Sequence, residues 1–197
     1  MAPDALSAEA TAPAADAGAG VESDRLRVLV VDDEPTIRFV IARVLQLDGH
    51  DVTEAASAEE ALVAFRARPF PVVITDIVMG GMSGLDLLRE LKAIDIETVV
   101  VVITSQASLE NSTSALRLGA YDLLFKPFDD LVMITAVVER AGERLALLAR
   151  NRLLANQLEV YARELERLNV SLKEMADRDW LTGLTNRRRF HAALDGE

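Results

Sequence analysis

Asp32, Asp33 and Asp76, together with Thr104, Ser105 and Lys126, have the types and spacing to share one piece of chemistry. Each follows a short apolar run: VLVV precedes Asp32, Asp33 and Glu34, VVIT precedes Asp76, a valine-rich run precedes Thr104 and Ser105, and Tyr121–Phe125 precedes Lys126 and Pro127. If those runs are parallel strands, all of these side chains gather beyond one edge of the sheet. Clustered carboxylates repel one another unless a cation sits among them. An all-oxygen donor set suits a hard divalent ion such as magnesium. A lysine at the same rim would neutralise the oxygens of a transferred phosphoryl group while a hydroxyl donates to one of them. In that setting an aspartate oxygen can attack phosphorus. Singly, an aspartate after a strand is a common helix cap and Lys-Pro a common turn; the reading rests on the combination.

The elements that must position these groups are visible in the pattern. Runs at Val28–Val31, Asp51–Ala55, Val72–Thr75, Val99–Ile103 and Tyr121–Phe125 alternate with helical segments. Several are apolar on consecutive residues, as expected of strands buried on both faces by helices. Ser57 with Glu60, and Ser83 with Asp86, have the spacing of helix N-terminal caps with an acidic residue in the first turn. Gly49 and Gly119 stand where helices should stop, and Asp129 and Asp130 are placed to cap a fifth helix. Five strands and five helices between about residues 25 and 140 predict an α/β fold, a doubly wound five-stranded parallel sheet.

Before this region, residues 1–24 are dominated by alanine, with Pro, Gly, Ser and acidic side chains and no aromatic. Such a segment buries too little apolar surface to offset its ordering entropy, and a disordered tail is expected. The 197-residue chain has no cysteine, which excludes disulfides and thiolate chemistry, and its two histidines are too few for a His-rich metal centre. A formal net charge of −11 disfavours nonspecific binding to nucleic acid or to anionic membrane surfaces. No apolar run has the length to span a bilayer and the first residues lack a secretory pattern, so the expected location is cytoplasmic.

After Asp129 the pattern becomes helical and continues through Gly142 to about Met175. Leu147, Leu154, Tyr161, Leu168 and Met175 recur every seven residues, with Leu158, Leu165 and Leu172 at the intervening spacing of four. That alternation is a coiled-coil seam, over a helix that would run roughly 70 Å at 1.5 Å per residue. Its stripe calls for a second chain, most simply a parallel homodimer, and Asn151 lies in the same series as a candidate register-setting polar residue. Residues 141–178 are thus expected to be a coiled-coil signalling helix continuing the fifth helix.

The stretches VLVVDDEP, DIVMGGMSGLDLL, VVVITSQ and LRLGAYDLLFKPF resemble the receiver domains of bacterial two-component response regulators, in order and at the family's spacings. The resemblance implies that Asp76 is the phosphoacceptor, loaded by a partner histidine kinase. It also implies that Asp33, Asp76 and the backbone carbonyl of Val78 ligate Mg²⁺, with Asp32 acting largely through bound water. Thr104 would be the switch hydroxyl, Lys126 the phosphate contact, and Pro127 would follow a cis peptide bond. Gly84, Gly119 and Phe128 match the family as turn and core residues. Two positions depart from it. Gly80 stands where proline is usual, which should loosen the loop behind Asp76. Leu123 stands where a switch aromatic often sits. Arg117, Glu139 and Arg140 would lie on a second dimer face made by helices four and five.

The segment from Asp179 to Phe190 resembles the opening of the GGDEF domain of diguanylate cyclases, so residues 179–197 are expected to be a truncated start of that domain. The chain carries no GGDEF signature, and synthesis of a second messenger by this polypeptide is not expected. Nor does Arg187–Arg189 argue for nucleic-acid binding in an acidic chain. The expected function is a receiver that accepts a phosphoryl group on Asp76 and switches dimer geometry to control an absent cyclase output. The competing reading is a constitutive dimeric scaffold or partner-binding adaptor.

Overall fold

The computed structural model describes residues 25–105, 109–128 and 130–176, the side chains of 109–111 and 174–176 excepted. The expectations for the N-terminal tail, Asp129, the Met175 side chain and the segment from Asp179 to Phe190 lie outside the described residues. The elements are β1 (Arg27–Val31), α1 (Pro35–Leu47), β2 (Asp51–Ala55), α2 (Ala58–Ala67), β3 (Val72–Asp76), α3 (Gly84–Ile94), β4 (Val99–Thr104), α4 (Leu109–Arg117), β5 (Asp122–Phe125) and α5 (Val132–Ala176). The strands form one sheet in the order β2-β1-β3-β4-β5, every neighbouring pair parallel.

Sequence and structure agree closely on the strands, and the differences matter for the site. β3 extends one residue to include Asp76 and β4 one residue to include Thr104, so each ends on a side chain expected to do chemistry. β3 and β4 are buried throughout, which explains their unbroken apolar runs.

Alternate strand residues feed two cores. Leu29, Val31, Val73, Val100 and Val102 pack with Leu62 and Phe65 of α2, Leu87, Leu88 and Leu91 of α3, and Ala115 of α4. Residues of the opposite pleat, among them Val28, Val30, Ile74, Val101 and Ile103, are also fully buried, as are Ile41 and Leu45 of α1 and Ile134 and Val138 of α5. Burying each large apolar side chain contributes about 1.5–3 kcal/mol.

The helix starts follow the caps read from sequence. The Ser57 hydroxyl accepts from the Glu60 amide at 3.2 Å, and the Glu60 carboxylate accepts from the Ala56 amide at 2.7 Å. The Ser83 hydroxyl accepts from the Asp86 amide at 3.2 Å. Asp130 accepts from the Val132 amide at 2.9 Å and so caps α5. Gly49 and Gly119 close α1 and α4 at φ of 96° and 90°, conformations glycine adopts without the Cβ penalty. Inside α5, Gly142 lies beside Leu26, whose Cδ1 would be 3.0 Å from an added Cβ.

The chain divides into two compact units after Gly142. In the second, Leu147, Leu154, Leu158, Tyr161, Leu165, Leu168 and Leu172 are all exposed, by 48% at Leu154 to 68% at Leu158. No helix among the described residues is long and apolar enough to cross a membrane.

Candidate functional site

The sheet order decides which groups meet. β3 lies between β1 and β4, and β1 is paired to it with Val31 opposite Thr75, so Asp32 emerges beside Asp76. β4 and β5 are paired with Thr104 opposite Phe125, and the Lys126 amide donates to the Thr104 carbonyl at 2.8 Å. Strands lie about 4.8 Å apart, so β5 is roughly 10 Å from β3, and a lysine stem can reach from one to the other. The Lys126 ammonium lies 2.7 Å from Asp32 Oδ2 and 2.8 Å from Asp76 Oδ2. The Lys126–Pro127 peptide bond is cis.

Asp32 and Asp76 are buried and Asp33 is exposed; one carboxylate oxygen from each can be taken within 4.8 Å of the others. Both oxygens of Asp32 are engaged, Oδ2 by Lys126 and Oδ1 by the Glu34 amide at 2.9 Å. Asp76 Oδ2 accepts from Lys126, while its Oδ1 faces the Val78 amide at 3.4 Å. Asp33 Oδ2 accepts from the Gly80 amide at 3.1 Å. Thr104 is fully buried at the end of β4. Burial lowers the pKa of Lys126, but hydrogen bonds and charge from Asp32 and Asp76 outweigh it and hold the ammonium above its ordinary value. The cation expected among these carboxylates was a divalent ion, and Lys126 was expected at the phosphoryl oxygens; here its ammonium bridges Asp32 and Asp76. With one ammonium shared by Asp32 and Asp76 and none on Asp33, the three carboxylates remain an anionic, all-oxygen donor set, which fits a hard divalent ion.

Three residues at this edge were given no part in the site by the reading from sequence. Arg38 of α1 donates to the Asp32 carbonyl at 2.6 Å and pairs with Glu54 of β2 at 3.3 Å, fixing the end of β1. Glu59, in the first turn of α2, accepts from the Met82 amide at 3.1 Å. Its pKa is lowered by hydrogen bonds from its own amide, from the Met82 amide and from the Ser57 hydroxyl. Gly84 was read only as a turn residue; a Cβ there would meet the Asp76 carbonyl oxygen. Only Gly84, directly after a capping serine, carried a sequence signal for its position.

In the loop between β3 and α3, the amide of Gly80, the residue expected to loosen the loop, donates to Asp33, and the positive φ of 92° falls on Gly81. Leu123 is partly buried against the core, and Phe125 is 48% exposed at the end of β5. On the expected helix-four and helix-five face, Arg140 pairs with Asp122 at 3.0 Å.

A parallel sheet in this order, with carboxylates, a hydroxyl and a lysine at its carboxyl edge, defines the flavodoxin-like class of signalling domain. The model of the response regulator receiver domain matches residues 28–138, and the chain belongs to that family. It is 35% identical over 163 residues to the C4-dicarboxylate transport transcriptional regulatory protein DctD of Rhizobium meliloti, covering 77% of this chain and 35% of that protein. It is 39% identical over 119 residues to the transcriptional regulatory protein FixJ of Azorhizobium caulinodans, covering 60% of this chain and 56% of that one. Among solved structures, a response regulator receiver domain protein from Clostridium thermocellum is 36% identical with a TM-score of 0.59. That match covers 62% of this chain and 98% of the other. The chain thus spans about a third to just over half of the length of these two curated relatives. It carries the receiver domain of a two-component response regulator.

Proposed function

We propose that Asp76 is the phosphoacceptor of this receiver. The observation that carries the reading is the placement of Asp76 at the end of β3 with Lys126 2.8 Å from its Oδ2. An Asp76 oxygen forms the bond to phosphorus as the bond from phosphorus to the donor's histidine nitrogen breaks, and the electron pair leaves with the imidazole. Lys126 transfers its hydrogen bond from the carboxylate to a phosphoryl oxygen, and the Thr104 hydroxyl donates to another. Mg²⁺, when bound, supplies charge neutralisation at the phosphoryl oxygens. Asp33, Asp76 and the Val78 carbonyl would hold it directly and Asp32 through water, consistent with both Asp32 oxygens already being engaged. The test is phosphoryl uptake from a small-molecule donor in Mg²⁺: wild type takes up a base-labile group that hydroxylamine releases, as it does an acyl phosphate, and D76N does not. Uptake by D76N equal to wild type overturns the assignment.

The output reading rests on α5 and on the residues beyond it. An exposed seam of seven apolar side chains from Leu147 to Leu172 favours a parallel homodimer through α5, and the resemblance at Asp179–Phe190 favours a cyclase of the GGDEF type as the regulated output. A second reading, control of transcription, is favoured by the names of the curated relatives, DctD and FixJ. Light scattering across a concentration series with beryllofluoride, a mimic of the aspartyl phosphate, separates a phosphorylation-dependent dimer from a constitutive scaffold.

A further inference from the structure

Asp33 is the exposed member of the acidic cluster, and it lacks the lysine that its two neighbours share. With Asp32 and Asp76 both within reach, an exposed aspartate side chain is driven by repulsion to swing toward solvent. What holds it toward the pocket is the Gly80 amide, at 3.1 Å from Oδ2. The loop that brings this amide into place is fastened at its other end, where the Met82 amide donates to Glu59 Oε1 at 3.1 Å. Between them Gly81 turns at a φ of 92°. The hydrogen bond to Asp33 requires a residue at position 80 with an N–H, which proline lacks.

We infer that the Gly80 amide is a positioning group for the cation site: it preorganises Asp33, leaving Oδ1 available to a divalent ion and raising the affinity of the pocket for Mg²⁺. This inference rests on the reading of Asp33 as a metal ligand. Position 80 is free of steric demand, since an added Cβ there meets nothing within 4 Å and its φ lies outside the left-handed region. Alanine therefore keeps the amide and fits, whereas proline removes the amide.

The experiment is Mg²⁺ titration of the full 197-residue chain by calorimetry for wild type, G80A and G80P, each checked by circular dichroism for an intact fold. G80A should bind within about twofold of wild type, and G80P roughly ten- to a hundredfold more weakly, the loss expected of one hydrogen bond to a charged group. Equal or tighter binding by G80P overturns the positioning role and leaves the metal site standing. Absence of Mg²⁺ binding by wild type overturns the metal reading and the inference with it. A measurement independent of proline is the Gly80 amide resonance in metal-free protein. It should move upfield in D33A, and an unmoved resonance contradicts the hydrogen bond.

Discussion

Gly84 lies so close to the main chain of Asp76 that a Cβ on it would stand 1.8 Å from the Asp76 carbonyl oxygen. The Gly84 amide also donates to the Ile77 carbonyl at 2.9 Å. Helix α3 therefore begins against the backbone of the proposed phosphoacceptor. No rotamer change can relieve the clash, because the obstructing atom is backbone. Gly84→Ala should lower stability by about 2 kcal/mol or more, the cost of overpacking, and should slow phosphoryl uptake by displacing Asp76. Urea denaturation and uptake kinetics measure both; a variant matching wild type in each would show that the strand end yields freely.

Lys126→Ala leaves two buried carboxylates, Asp32 and Asp76, without the ammonium they share. Breaking a fully buried pair costs about 3–5 kcal/mol; the lysine tip retains some solvent, so a loss of about 1–3 kcal/mol is expected. Mg²⁺ should restore part of it in the variant. The folded pKa of Lys126 is raised above its ordinary 10.5. Its contribution is therefore fully present below that value and is lost as pH rises through the higher folded one. The gap between wild type and variant should stay constant from neutral pH to about pH 10 and close only above it. A gap closing near neutrality would contradict the ion pairs.

Glu59 titrates in the opposite sense. Its pKa lies below the ordinary 4.5, so its hold on the Met82 amide contributes at neutral pH and is lost only as pH falls through the lower folded value. An NMR titration should show the Met82 amide shift following Glu59 with a midpoint below 4.5. A midpoint at or above 4.5 would mean that the loop is not held this way.

The exposed seam on α5 predicts association. Replacing both Leu158 and Leu165 by aspartate should shift the protein to monomer in light scattering, with the melting of the receiver unit unchanged within about 0.5 kcal/mol, as for surface substitutions. A wild-type protein that is monomeric at all concentrations would contradict the dimer reading.

The strands and caps were legible because local chemistry decides them. β-branched runs buried on both faces, Ser57 and Ser83 at helix starts, and glycines at helix ends each speak through a few neighbouring residues. The carboxylates and lysine were legible as a set once their runs were placed in one sheet. The interactions of Arg38 and Glu59 were not, because each depends on how a helix start packs against a strand end or a loop, Arg38 on the end of β1 and Glu59 on the Met82 amide. The hydrogen bond of Gly80 was hidden for a related reason. Its conformational freedom can be read from residue type, but the partner of its amide, 47 positions away, cannot.

We propose that the phosphoryl group resides on Asp76. Reduction of the phosphorylated chain with borohydride converts an acyl phosphate to an alcohol, marking the acceptor as homoserine, which peptide mass spectrometry then locates. Homoserine is expected at position 76 and at neither 32 nor 33. Homoserine at Asp32 or Asp33, or no homoserine in a chain that has taken up phosphate, would contradict it.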